Sequence, residues 1–344
     1  MPYTIALDAM GGDLAPGPEV AGAVEAYRRF GVHSVLVGDE SALRKELERL
    51  GADLDGLSLV HAEEAITMSD SPMAPIRKKR KSSLRIASEL VKQGQAHALV
   101  SAGNTGATMA CAKLVIGGIE VVERPALAAW FPSANGPSLI LDVGANSDCK
   151  PLHLEQFAIM GSVYTSQILG LEQPRVALLS IGEEDIKGNE LTKEAYKVLQ
   201  RLPLNFVGNV EGNSLFRGEA DVIVTDGFTG NVVLKTGESV YEFISSRLKS
   251  EFAKTLRTRI GYFLSKPAFR NLRSSMDYAE YGGAHLLGVK AVTIICHGRS
   301  KPKAIMNALR LARDLCAAEI NQKIVEKVRD FMKDDSHGND SIAN

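Results

Sequence analysis

Short apolar runs alternate with amphipathic stretches of helical period along almost the whole chain, and that alternation leaves few folds open. The runs lie at residues 3–8, 34–38, 97–102, 126–131, 138–145, 175–181, 221–226 and 291–296. Helical patterns cover 18–30, 82–93, 105–116, 152–169, 191–201 and 303–328. Strands that are apolar on both faces need cover on both, which predicts a three-layer α/β/α fold with a mostly parallel sheet. No repeat or Pro/Ser-rich linker interrupts the pattern, so one α/β/α domain is expected over 1–332. The polar end, 333–344, reads as a disordered tail.

In open α/β sheets, ligands bind beyond the carboxyl ends of the strands. Five of these runs end in polar, glycine-containing turns: DAMGGDLAP, SAGNTGATMA, LDVGANSDCKPLH, SIGEEDIKGNE and TDGFTGNVVLKTGE. A lone glycine turn is usually a plain connection. Five of them are expected to form one rim for a polar, phosphorylated ligand. Gly227 and Gly230 fit neither the dinucleotide fingerprint nor the Walker pattern. Ser101, Gly103, Asn104, Thr105 and Gly106 precede a helix and make either a simple cap or a neutral phosphate cradle. Asp142, Asn146, Asp148, Lys150 and His153 crowd twelve positions, but no second cluster of metal-ligand spacing joins them, so no metal is expected.

Forty basic against forty-one acidic residues leave a net charge of −1, which gives no argument for nucleic acid. Two local patches stand out. Arg77, Lys78, Lys79, Arg80 and Lys81 are consecutive; such a run is ordinarily a solvated face. The segment at about 238–277 interleaves cations, Arg257, Arg259 and Arg270 among them, with apolar residues at helical spacing. It reads equally as an ordinary helix with a basic outer face or as a membrane- or partner-binding helix pair. The four cysteines form no CxxC pair, the N-terminus lacks a leader pattern, and no apolar run reaches a membrane span, so a cytoplasmic protein is expected. GxSxG and HExxH are absent, which favours a nucleophile supplied as substrate.

The turns, together with YGGAHLLGVK, closely resemble those of bacterial phosphate acyltransferases, the acyl-ACP:phosphate acyltransferases of phospholipid synthesis, in order from Leu7 to about Lys303. Thr225 and Ser239 depart from the usual pattern without obvious chemical consequence. The resemblance implies an isocitrate-dehydrogenase/phosphate-acetyltransferase-like fold. It also implies transfer of a long-chain acyl group from acyl carrier protein to inorganic phosphate, with no cofactor and no covalent acyl-enzyme. The acyl phosphate would pass to a membrane glycerol-3-phosphate acyltransferase. A homodimer, peripheral at the inner face of the membrane, is likewise implied.

For that chemistry the expected catalytic set is Asn104, Asn231, Lys150, Lys187 and Lys235, with the lysines unranked. Ser101, Gly103, Thr105, Gly106, Gly227, Thr229 and Gly230 would bind phosphate, and Asp142, Asn146, Asp148 and Asp226 would orient them. Arg77, Lys78, Lys79, Arg80, Arg257, Arg259 and Arg270 would dock the acidic carrier or the membrane. A short-chain acyl-CoA enzyme or a nicotinamide dehydrogenase of the same fold remains open at this level. So does a non-catalytic membrane adaptor, which would leave the five turns without a purpose.

Overall fold

The computed structural model describes residues 3–52, 56–276 and 282–338, with backbone alone for 270–276 and 332–338. The first half runs β1 (Thr4–Asp8), α1 (Gly17–Phe30), β2 (His33–Gly38), α2 (Glu40–Arg49), β3 (Leu57–His61), α3 (Ala74–Arg77), α4 (Ser83–Lys92), β4 (Ala98–Ser101) and α5 (Thr105–Cys111). It continues with β5 (Ala126–Phe131), β6 (Ser138–Leu141), α6 (Pro151–Leu169), β7 (Val176–Leu179), α7 (Glu190–Leu199), β8 (Phe206–Val210) and β9 (Val222–Val224). The chain closes with α8 (Gly227–Ala253), α9 (Leu256–Met276), β10 (Ala284–Leu287), β11 (Val292–Ile295), α10 (Pro302–Ala317) and α11 (Ile320–Gly338).

Among the described residues the strands form one sheet in the order β3-β2-β1-β4-β11-β10-β5-β6-β9-β7-β8. Every pairing is parallel except β11–β10, β10–β5 and β5–β6. Those three reversals have a consequence the sequence could not show. β1, β4 and β11 point one way, and β6, β9, β7 and β8 point the other. The five glycine turns therefore do not make one rim: those after β1 and β4 lie at one edge of the sheet, those after β6, β7 and β9 at the opposite edge.

Strands β3, β8 and β10 were not expected. β3 (LSLVH) and β8 (FVGNV) are broken by polar residues or glycine and β10 (AHLL) by His285, so none presents a continuous apolar run. The expected helix over 303–328 is two helices. Its periodicity is real, but the backbone turns at Glu319, whose φ of 52° breaks the α run. Helix α11 is anchored by the buried Ile320, Ile324, Val328 and Phe331. It carries on through 333–338, where no structure was expected; 339–344 lie outside the described residues. No helix among the described residues is long and apolar enough to cross a membrane.

One face of the sheet packs Ile5, Leu7, Val100, Leu141 and Val224 against α1, α6, α7, α10 and α11. On that side His285 of β10 is fully buried beside Tyr164, ring centroids 5.2 Å apart. Neither of its ring nitrogens has a hydrogen-bond partner among the described residues. Burial holds its pKa down at about 3, against an ordinary 6.5. The folded protein thus keeps His285 neutral while the unfolded chain takes a proton below about 6.5. Stability is expected to fall as pH drops from 6.5 towards 3, by up to about 1.4 kcal/mol per pH unit from this group. His285→Phe should leave stability at pH 7.5 nearly unchanged and flatten that acid limb, as read by urea unfolding at stepped pH; an unchanged slope would refute it.

Candidate active site

On the opposite face α8 packs on β5 and β6, and a cleft of about 480 Å³ opens between its first turns and the start of α5. Its floor is apolar: Leu127, Ala129, Val143 and Ile295, with Met109 and Leu234 on the flanking helices. Its polar groups are Thr105, Ser147, Asn231, Lys235, Glu238 and His297. Two helices that start at opposite edges of the sheet thus bring parts of two distant glycine turns together. Asn231 and Lys235 stand at i and i+4, which puts them on one face of α8. Lys235 is half exposed and pairs with Glu238 at 2.7 Å.

The start of α8 is held by a dense network. Asp226 caps the helix, accepting from Thr229 N at 2.9 Å and from Thr229 Oγ1 at 2.8 Å. The Gly227 N–H donates to the carbonyl of Asn146 at 2.7 Å. A Cβ on Gly227 would come within 2.7–2.8 Å of Asn146 and Asp142, and one on Gly230 would strike the Asp142 carbonyl. These glycines serve close backbone packing. Beneath them the buried Asp142 carboxylate accepts from Leu127 N, Gly144 N, Ala145 N, Asn146 N and Asn146 Nδ2 at 2.7–3.1 Å. Asp142 and Asn146 therefore hold the loop after β6 and, through it, the first turn of α8.

The turn after β4 is built differently from the expected cradle. Asn104 is fully engaged: its Oδ1 accepts from Ala107 N at 3.0 Å, and its Nδ2 donates to the carbonyl of Asp70 at 2.9 Å. It caps α5 and ties down the loop before α3. Ser101 is buried, donating to Asp8 Oδ2 at 2.8 Å and accepting from Gly103 N at 3.1 Å. Gly103 packs on Gly11, with its Cβ position 3.1 Å from the Gly11 Cα. Of this turn, Thr105 and Gly106 line the cleft.

Lys150 and Lys187 are exposed and do not line this cleft, so Lys235 is the one of the three expected lysines that does. Within the basic run, Lys79 turns inward to Asp70 at 2.7 Å and to the Ala65 carbonyl at 3.1 Å, which draws the Asp70 pKa down to about 2. Arg77, Lys78 and Arg80 stay exposed. Arg257 and Arg259 lie exposed on α9, while the side chain of Arg270 lies outside the described residues.

Asp8, Glu19 and His297 escaped the reading of the sequence. Asp8 accepts from Ser83 and Ser101, and burial raises its pKa. Glu19 of α1 is buried behind the turn containing Gly12, and desolvation lifts its pKa to about 7. Both depend on contacts remote in sequence. His297 had a legible signal, since CHGRS is another glycine turn at a strand's carboxyl end. Its Nδ1 accepts from Arg299 N at 3.1 Å.

A family model described as "Fatty acid synthesis protein" matches residues 3–323. The phosphate acyltransferase of Trichlorobacter lovleyi is 50% identical over 324 residues, 94% of each chain. That of Geobacter sulfurreducens is 48% identical over 324 residues, again 94% of each. Among solved structures, a phosphotransacetylase from Streptococcus pyogenes aligns with a TM-score of 0.62 at 16% identity, covering 92% of this chain and 94% of its own. A branched-chain phosphotransacylase from Enterococcus faecalis aligns at 0.55 and 16%, covering 91% and 99%. At that identity the two structures establish the fold alone. The sequence relatives establish the family: the chain belongs to the phosphate acyltransferases of fatty acid and phospholipid synthesis.

Proposed function

We propose that the chain moves a long-chain acyl group from the thioester of acyl carrier protein directly to inorganic phosphate. The observation that carries this reading is the cleft itself, where a floor of Leu127, Ala129, Val143 and Ile295 suited to a hydrocarbon chain meets Asn231 and Lys235. An oxygen of hydrogen phosphate attacks the thioester carbon, and the carbonyl oxygen takes up negative charge. The C–S bond then breaks, and sulfur leaves with the electron pair and the proton that phosphate sheds. The products are acyl phosphate and a free thiol. Phosphate is already an anion and a thiolate is a good leaving group, so the protein's task is positioning and charge stabilisation. Lys235 neutralises phosphate, and Asn231 donates to the developing oxyanion.

The exposed Arg77, Lys78 and Arg80 suit an acidic carrier. The hairpin of α8 and α9 leaves Phe243, Ile244, Leu248, Ile260, Phe263 and Leu264 exposed beside Arg257 and Arg259. Such a surface supports a homodimer and peripheral contact with the cytoplasmic membrane, where a glycerol-3-phosphate acyltransferase would take the product. Purified protein given phosphate and palmitoyl-ACP should release acyl phosphate and free carrier, with kcat/KM at least about tenfold above that with palmitoyl-CoA. Equal or better use of the coenzyme A thioester would overturn the donor assignment.

A further inference from the structure

A separate cleft of about 370 Å³ opens between α11, the segment that follows α5 and the turn from β10 to β11. It shares no lining residue with the cleft between α5 and α8. Its three walls are fastened to one another. Ile119 N donates to the Gly288 carbonyl at 3.0 Å, and Lys290 N donates to the Gly117 carbonyl at 2.8 Å. From α11, Asn321 Nδ2 donates to the Val289 carbonyl at 3.1 Å. Gly117 has a φ of 106°, and the Lys290 stem lies over it, with Cδ 3.4 Å from where a Cβ would stand. The lysine stem is thus laid along the wall while its ammonium group reaches the rim.

The floor is apolar, made by the buried Ile119 and the half-buried Val121 and Val325. Lys290 and Arg329 stand over it, against a single carboxylate in the lining, that of Glu120. Glu120 is 82% exposed and comes no nearer than 3.7 Å to Lys290, a pair of little strength in water. Arg329 is exposed and makes no hydrogen bond or ion pair among the described residues. An ammonium group and a planar guanidinium fork above an apolar floor match a dianionic phosphate joined to a hydrocarbon chain. A carboxylate, with one charge, gains less from the second cation, and a neutral lipid gains from neither.

We propose that this cleft binds the phosphate monoester of a single hydrocarbon chain, its head between Lys290 and Arg329 and its chain along Ile119, Val121 and Val325. The site stands apart from the reacting cleft and does not rest on the acyl-transfer reading. Its walls nonetheless continue into that cleft. β10 and β11 carry Ala284 and Ile295 there, and the π-helical turn Ala112–Ile116 joins the segment after α5 to Met109.

Reductive methylation followed by peptide mass spectrometry reads Lys290 without turnover. The probe is decyl phosphate, kept below the concentration at which it forms micelles, with exposed Lys92 at the end of α4 as the reference. At about ten times its Kd, the probe should slow methylation of Lys290 about tenfold and leave Lys92 unchanged. Inorganic phosphate, which lacks the chain, and decanoate, which lacks the second charge, should each slow Lys290 less than about threefold at the same concentration. Arg329→Glu, an exposed position, should cut the protection by decyl phosphate to below about twofold. Val325→Gln should leave decyl phosphate no better than inorganic phosphate. An unprotected Lys290, equal protection by decanoate or by inorganic phosphate, or protection that survives Arg329→Glu overturns the proposal.

Discussion

Asp142→Ala is expected to destabilise the protein by roughly 3–5 kcal/mol and to abolish activity. The carboxylate is buried and takes hydrogen bonds from four backbone N–H groups and the Asn146 amide. Alanine leaves those donors unsatisfied, at about 1–3 kcal/mol each and less than additively, since the loop can relax towards water. The damage should reach the site through one bond, because the Asn146 carbonyl anchors Gly227 N at the start of α8. Asp142→Asn keeps the shape but turns one N–H₂ group towards a ring of donors, so it should fall between alanine and the parent. Urea unfolding with an activity assay would check this. An alanine variant with parental stability would mean that the loop is held by something else.

The second large effect falls on chemistry with little cost in stability. Asn231→Ala is expected to lower kcat by about 10²–10³, the usual loss for one oxyanion donor. Lys235→Ala should raise KM for phosphate and lower kcat/KM by a similar factor. Both residues are exposed on α8, so unfolding free energies should stay within about 0.5 kcal/mol of the parent. Lys235→Arg should recover part of the loss. If both alanine variants retained parental kinetics, the cleft would not be the reacting centre.

Much of this fold was legible because buried strands and amphipathic helices write their periods into local sequence. β5 at Ala126–Phe131 is apolar throughout and matches its expected bounds. Strand direction was not legible, since the same apolar run serves either sense. For that reason the turns after β4 and β9 looked like one rim although they lie at opposite edges. Asn231 and Lys235 could be read as a pair because their spacing is helical and local. Asn104 misled because one side chain can cap a helix or bind an anion, and only the remote carbonyl of Asp70 decides between the two. Lys79 is a similar case: its place in a run of cations hid an internal partner nine residues away. Asp8 and Glu19 could not be found from sequence, because burial by distant segments gives each its character.

Direct transfer is the central claim, and intact-protein mass spectrometry during a single turnover tests it most directly. Protein in excess over palmitoyl-ACP, first without phosphate, should keep its unmodified mass; adding phosphate should then put the acyl group into acyl phosphate alone. A protein species heavier by one acyl group, formed without phosphate and discharged when phosphate is added, would contradict the account.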